Sequence, residues 1–245
     1  MSREHIISAY DKELEDLRSK IARMGGLAEA QIAGAVDALY TRSDEKAERV
    51  IRADAEIDAL EMAVEKEAVA VLARRQPMAS DLREIISALK MSSILERIGD
   101  YAKNIAKRVT ALRDTENIRI VRPVGEMAYL VQKMLKDALD AYIDLDDEKA
   151  VEVWHRDEAV DELYNSLFRE LLTYMMEDPR SISGCTHLLF VAKNVERMGD
   201  HVTNISEIVY YLVRGEMLEQ ARPKGDETSF AIVRPGEGEA GGQGD

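Results

Sequence analysis

Two rows of oxygen-bearing side chains are the part of this sequence that could bind a cation. Each row has a Glu, an Asp and an Asn at intervals of four residues, and the two rows are Glu96, Asp100 and Asn104, and Glu196, Asp200 and Asn204. Positions four residues apart share one face of an α-helix, so each row would follow a single helix. Carboxylate and amide oxygens suit hard cations such as Mg²⁺, Ca²⁺, Mn²⁺ or iron.

Two Asp pairs with the same spacing precede these rows: Asp54 with Asp58, and Asp157 with Asp161. If the chain turns back near Pro77, the equal rise per residue of the two flanking helices brings Asp58 level with Glu96. The other Asp of the pair then lies level with the second carboxylate of the row, and a turn near Pro179 repeats the arrangement in the second half. Carboxylates about 4 Å apart repel by about 1 kcal/mol per pair in water, and a cation would relieve that repulsion.

The rows are expected to face outward, on the surface of each bundle. At about 100° per residue, the first row lies nearly opposite the apolar stripe of its helix. That stripe consists of Ile94, Ile98, Tyr101, Ile105 and Val109. Carboxylates opposite such a stripe are most often a solvated face, and the neighbouring Arg97 and Arg197 could neutralise them as ion pairs. Duplication of the whole pattern favours a cation site over these alternatives.

Two glycines inside the predicted helices support the same interpretation. Gly99 and Gly199 occupy the same position in the two copies of the motif. Each costs roughly 1 kcal/mol relative to Ala in a helix interior. A repeated penalty indicates a need for space or for close backbone approach, which either tight helix packing or an ion cluster would explain.

Caps, among them Ser43 and Asp146, and helix breakers divide the chain into six predicted helices, at about 5–40, 44–75, 79–113, 123–145, 147–177 and 181–214. Together with the internal repeat they predict an all-α fold of two tandem three-helix bundles with long antiparallel helices. The first repeat is expected over residues 1–115 and the second over residues 120–216. Residues 222–245 carry no apolar period, and we expect them to form a disordered tail.

Composition narrows the class of protein. A net charge of −14 disfavours nucleic acid as a partner and suits cations or basic protein surfaces. Aromatic residues make up only 5% of the chain, which is typical of helical proteins. The single Cys185 excludes multi-cysteine metal sites, and we expect it to be buried as a small apolar residue. No apolar run reaches the roughly 18 to 20 residues that span a bilayer, so a cytoplasmic protein is expected.

The paired motifs resemble the signature of the PhoU family of phosphate-uptake regulators. The matching segments are 95–100 with 104–106, and 195–201 with 204–205. The likeness covers roughly residues 3–215 and includes a first helix that begins like residues 5–14. It implies two similar three-helix units and multinuclear metal clusters, with iron or zinc among the metals. The implied ligands are Asp54, Asp58, Glu96, Asp100, Asp157, Asp161, Glu196 and Asp200, with Asn104 and Asn204 in or next to the ligand shell.

The resemblance also implies a function. Members of the family act as negative regulators of phosphate import and of the phosphate (Pho) regulon. They are thought to link the ATPase subunit of the phosphate-specific ABC transporter to a membrane-bound sensor histidine kinase. The chain would therefore reach the membrane only through its partners, and it would form a homodimer, as family members often do.

Two other functions compete with this one. Clustered cations can activate water, so a metal-dependent phosphohydrolase is the enzymatic alternative. A metal-free helical scaffold is the second alternative. The sequence has no Glu-x-x-His motif of the ferritin-like di-iron proteins and no Gly-rich phosphate loop, so it favours a regulator that is not an enzyme.

Overall fold

The computed structural model describes residues 3–113 and 121–219, together with Thr228. These residues form seven α-helices and a short 3₁₀ turn, Pro179–Ser181, with no strand among them. The helices are α1 (Arg3–Thr41), α2 (Asp44–Arg75), α3 (Ser80–Arg113), α4 (Val121–Asp144), α5 (Asp147–His155), α6 (Asp157–Glu177) and α7 (Ile182–Arg214). The all-α prediction is confirmed.

The predicted caps start and stop the helices as expected. Ser43 caps α2, because its hydroxyl accepts a hydrogen bond from the Lys46 N–H at 3.3 Å. Asp146 caps α5 in the same way, with Lys149 as the donor at 3.0 Å. Gln76, which precedes Pro77, has a left-handed backbone with φ of 50° and ends α2. The end of α2 at Gln76 determines where the hairpin between α2 and α3 turns.

The predicted fifth helix is wrong in one respect, because it is broken at Arg156. The Arg156 N–H bonds to the Val153 carbonyl only three residues back, at 3.0 Å, and α6 starts at Asp157. The Arg156 side chain pairs with Asp137 of α4, which holds the break against the neighbouring helix. The sequence around Arg156 contains no Gly or Pro, so nothing local predicted the interruption.

The two predicted bundles are present and are packed against each other. α1, α2 and α3 form the first bundle, and α4, α5, α6 and α7 form the second. The two signature helices, α3 and α7, run antiparallel along the junction, where Tyr101 lies against His201 and Lys90 lies against Tyr211. α1 also contacts α4 across the junction. The repeat therefore produces a body with approximate two-fold symmetry.

One apolar core runs through both bundles. It includes fully buried side chains from both signature helices, such as Leu95, Ile98, Val195 and Met198. Cys185 is buried as well, as predicted. The tail predicted over residues 222–245 lies outside the described residues except for Thr228. None of the described helices contains a stretch long and apolar enough to cross a lipid bilayer.

Candidate functional site: two acidic clusters

The expectation that both oxygen rows face outward is wrong for Glu196, which is buried, and three of the four Asp residues that precede the rows are buried as well. Four of the carboxylates are buried, with exposed fractions of 2 to 5%: Asp54, Asp157, Asp161 and Glu196. Asp58, Glu96, Asp100 and Asn204 are half-buried, and Asn104 is exposed. The apolar stripe of a helix identifies the side that faces its core. It does not show that a neighbouring helix also covers the adjacent side, as α2 does on α3 and α6 does on α7.

The first cluster joins α2 to α3 through a lysine. The Lys103 ammonium donates hydrogen bonds to Asp54 Oδ2 and, at 3.1 Å, to Asp100 Oδ1. Asp54 and Asp100 are therefore level with each other, as the distances from Pro77 predicted. The hydrogen bonds to these two carboxylates raise the pKa of Lys103 above its ordinary value. Sequence reasoning missed Lys103, although its position three residues after Asp100 placed it on the same helix face.

Gly99 allows α1 and α2 to approach the first cluster closely. A Cβ at this position would lie 3.0 Å from the side-chain amide of Gln31 and 3.4 Å from Asp54 Oδ1. In the orientation that satisfies its amide, Gln31 donates to the Gly99 carbonyl at 3.1 Å and accepts from the Asp54 N–H at 3.0 Å. One buried side chain of α1 thus touches the backbone beside the acidic row and the backbone of Asp54. Gln31 was also missed, because it lies inside an otherwise apolar helix face.

Electrostatic repulsion is evident among the remaining carboxylates of the first cluster. Partial burial raises the pKa of Glu96, and Asp100, Glu61 and Asp58 raise it further. Burial also raises the pKa of Asp58, with a further contribution from Asp54, while Lys103 acts in the opposite direction. Glu61, three residues after Asp58, is a further acidic residue that the sequence analysis did not include. The cluster therefore holds more negative charge than its one lysine neutralises.

The second cluster repeats the arrangement with different neighbours. A Cβ on Gly199 would lie 2.9 Å from Asp157 Oδ1, so this glycine makes room for the buried carboxylate. Lys193 Nζ donates to Glu196 Oε1 at 2.8 Å and lies 4.9 Å from the centre of the Tyr164 ring. At the position equivalent to Lys103 stands Thr203, whose hydroxyl donates to the Asp200 backbone carbonyl at 2.7 Å.

Arg97 and Arg197, which the sequence suggested as ion-pair partners of the acidic rows, lie elsewhere. Lys103 pairs with Asp54 and Asp100 of the first cluster, and Lys193 pairs with Glu196 of the second. Arg97 lies instead in a groove between α3 and α7, which Asn204 and Glu207 also line. Arg197 is exposed. The nearby Glu207 accepts a hydrogen bond from the Trp154 indole at 3.0 Å.

The donor chemistry of both clusters fits a hard cation, because carboxylate oxygens supply it and the backbone leaves room for them at Gly99 and Gly199. The Lys103 ammonium lies between Asp54 and Asp100, so there is room for a positive charge at this place. Within residues 3–113 and 121–219, however, no three His, Cys, Asp or Glu side chains form a preassembled metal site. The ten predicted ligands therefore stay a prediction, and binding would require side chains to rearrange.

The fold and the clusters define a class: a duplicated helical-bundle protein with one acidic cluster in each repeat. Residues 21–109 and 124–209 each match the PhoU domain. The chain belongs to the PhoU family. All ten candidate ligands lie inside the two matched stretches.

Relatives and solved structures agree with this family. A protein of Caulobacter vibrioides, named phosphate-specific transport system accessory protein PhoU homolog, is 50% identical over 91% of this chain and 97% of its own length. The protein of the same name from Rhizobium meliloti is 49% identical over 94% and 97%. The crystal structure of PhoU from Pseudomonas aeruginosa superposes with a TM-score of 0.82 at 44% identity, covering 84% of this chain and 100% of that one. The phosphate transport system regulatory protein PhoU from Streptococcus pneumoniae has a TM-score of 0.80 at 32% identity, covering 86% and 100%.

Proposed function

We propose that this chain is a negative regulator of phosphate uptake and of the phosphate (Pho) regulon. In this role it couples the ATPase subunit of the phosphate-specific ABC transporter to a phosphate-sensing histidine kinase. The observation that carries the proposal is the likeness, over nine-tenths of the chain, to proteins named as accessory to the phosphate-specific transport system. The net charge of −14 supports docking to basic surfaces of protein partners.

The two acidic clusters are proposed to bind metal ions as part of this function. Asp54, Asp58, Glu96 and Asp100 would hold the first ion or cluster of ions. Their equivalents in the second repeat are Asp157, Asp161, Glu196 and Asp200, and Asn104 and Asn204 would complete the two shells. Burial and, after it, repulsion from neighbouring carboxylates raise the pKa of Glu96 and Asp58, and bound metal would neutralise that repulsion. Iron or zinc is expected from the family, and Mg²⁺, Mn²⁺ or Ca²⁺ from the oxygen donors.

The proposed role involves no turnover, since the relatives are named as accessory proteins and not as enzymes. A metal-dependent phosphohydrolase would show phosphate release from a phosphomonoester in the presence of Mn²⁺, and that release would be lost in Asp100→Ala and Asp200→Ala. A metal-free scaffold would regulate equally well without the acidic rows. The homodimer and the cytoplasmic location expected from the sequence stay predictions.

A complementation experiment tests the regulatory role. The chain is expressed in a bacterium whose own copy of the gene has been deleted, and a phosphate-starvation reporter is read at high phosphate. Wild type should repress the reporter, and the Glu96, Asp100, Glu196 and Asp200 quadruple Ala variant should lose repression. Failure of the wild type to repress, or to co-purify with the transporter ATPase or the kinase, would refute the regulatory proposal.

A matched control separates the clusters from net charge. The control variant replaces four exposed glutamates with Ala: Glu45, Glu48, Glu126 and Glu152. It changes the net charge by the same amount but removes only surface ion pairs, which contribute roughly 0 to 1 kcal/mol each. It should repress like the wild type. Unchanged repression in the cluster variant would favour the metal-free scaffold.

A further inference from the structure

We propose that Lys103 is a built-in cation of the first acidic cluster, which a divalent metal ion must displace from Asp54 and Asp100, so that the first cluster binds metal more weakly than its carboxylates alone would allow. This inference rests on the metal-binding part of the proposed function. It concerns a residue that lies outside the acidic motif itself.

The geometry places the ammonium where two ligand carboxylates meet. Lys103 Nζ bridges Asp54 on α2 and Asp100 on α3, and these are the two carboxylates that a shared ion would join. The Asp54 side chain is 4% exposed and that of Lys103 is 26% exposed, so this half of the bridge is shielded from bulk water, whereas the Asp100 side chain is 47% exposed. A charge-assisted hydrogen bond in such a position is stronger than one on an open surface.

An ammonium and a metal ion cannot share the same oxygen atoms. Both are positively charged, so a metal bound to Asp54 and Asp100 would repel an ammonium about 3 Å away. This repulsion is stronger in a shielded site than between the same charges in bulk water. The long flexible stem of Lys allows its head to swing toward solvent. Metal binding therefore exchanges one cation for another, and the hydrogen bonds of Lys103 are lost in that exchange.

The second repeat provides a natural comparison. Thr203 stands where the first repeat has Lys103, and its hydroxyl donates to the backbone carbonyl of Asp200 at 2.7 Å. Thr is uncharged and too short to bridge two helices as Lys103 does. The lysine of the second cluster, Lys193, enters from the other end of the row beside Glu196, and its equivalent in the first repeat is Ser93. The two lysines thus stand at different positions of the motif in the two repeats.

Manganese titration of the metal-free protein tests the proposal, with free Mn²⁺ measured by electron paramagnetic resonance. The second cluster is first disabled with Glu196→Gln and Asp200→Asn, so that the first cluster is observed alone. In this background Lys103→Thr, which installs the residue of the second repeat, should tighten Mn²⁺ binding by about tenfold or more. The reason is that Mn²⁺ no longer has to break the charged hydrogen bonds of Lys103 when it binds. Lys103→Met, which keeps the length of the stem, should do the same if Thr perturbs folding.

Lys107→Thr is the matched control, because Lys107 is exposed one turn further along α3. It removes the same charge without touching the cluster, so it should leave the affinity unchanged. The proposal would be overturned if the Lys103 variants bound Mn²⁺ no more tightly than the background protein that retains Lys103. An equal gain in affinity in Lys107→Thr would overturn it as well. Absence of Mn²⁺ binding in every variant would overturn it together with the metal-binding part of the proposed function. If Mn²⁺ binds but the Lys103 variants do not bind it more tightly, this inference fails and the proposed function stands.

Discussion

Tyr101 and His201 stack on each other at the junction of the two repeats, with ring centroids 5.5 Å apart and planes inclined by 23°. Each residue directly follows the second carboxylate of its motif, Asp100 in one repeat and Asp200 in the other. The two acidic clusters therefore flank a single aromatic contact, which also brings the Tyr101 hydroxyl 3.4 Å from His201 Nε2. A shift of α3 would therefore displace α7 through this contact, and a shift of α7 would displace α3.

A double-mutant cycle measures that coupling. Tyr101→Ala, His201→Ala and the double variant should reveal an interaction of about 0.5 to 1.5 kcal/mol in the free energy of unfolding, as aromatic pairs give. Urea unfolding supplies the measurement, with the chain's single Trp, the buried Trp154, as the fluorescent reporter. Tyr129, which is 71% exposed, provides a control pair with Tyr101 that should be additive within about 0.5 kcal/mol. Additivity of Tyr101 with His201 would contradict the coupling.

The glycine of the second motif is expected to be required for packing. Gly199→Ala would place a Cβ 2.9 Å from Asp157 Oδ1, so the buried carboxylate must move. We expect a loss of about 1 kcal/mol or more in the free energy of unfolding, since overpacking outweighs the better helix propensity of Ala. Gly26→Ala in α1 is the control, because nothing lies within 4 Å of its Cβ. That variant should gain about 0.5 to 1 kcal/mol in the same urea experiment, and a gain of that size in Gly199→Ala would contradict the prediction.

Gln31 is expected to stabilise the first cluster through its two backbone contacts. The equivalent residue of α4 is Val131, which lies 3.6 Å from the Cβ position of Gly199. Gln31→Val removes the hydrogen bonds to Gly99 and Asp54, so the free energy of unfolding should fall by about 1 to 2 kcal/mol. Gln31→Met retains the length of the side chain and separates lost hydrogen bonding from lost volume. Wild-type stability in both variants would show that the contacts contribute nothing.

Burial of Asp58 and acidic repulsion in the first cluster predict a pH dependence of stability. Since the folded protein raises the pKa of Asp58, protonation of this group favours folding. Its contribution is therefore full below its ordinary pKa of 3.8 and is lost as the pH rises through the higher folded value. Metal-free Asp58→Asn should be more stable than the wild type at neutral pH, and the difference should shrink as the pH falls toward about 4. Thermal unfolding in EDTA across this range measures it.

Asp178 provides a control of opposite sign. Its hydrogen bonds with Arg180 lower its pKa, so its contribution to stability is present above its ordinary pKa and is lost as the pH falls through the lower folded value. Asp178→Asn should therefore be less stable than the wild type at neutral pH. If Asp58→Asn were also less stable there, burial and repulsion of its charge would not be the dominant effects of Asp58 in the cluster.

Much of the architecture was predictable because its signals are local. Ser43 and Asp146 identified two helix starts, since a side-chain oxygen that caps a helix bonds to the backbone within the same turn. Pro77 located the turn of the first hairpin, and the fixed rise of a helix then placed Asp54 level with Asp100. The break at Arg156 was not predictable, because its side chain is held by Asp137 of another helix.

The sequence by itself determined the helices, the repeat, the family and the ten acidic and amide positions, because periodicity, caps and motif spacing depend on neighbours along one chain segment. Only the tertiary structure decided which of those positions are buried and what lies against them. Gln31 and Gly99 are 68 residues apart in sequence, and Lys103 and Asp54 are 49 residues apart. Such contacts follow from how separate helices pack, and a single helix does not specify which helix covers its polar side.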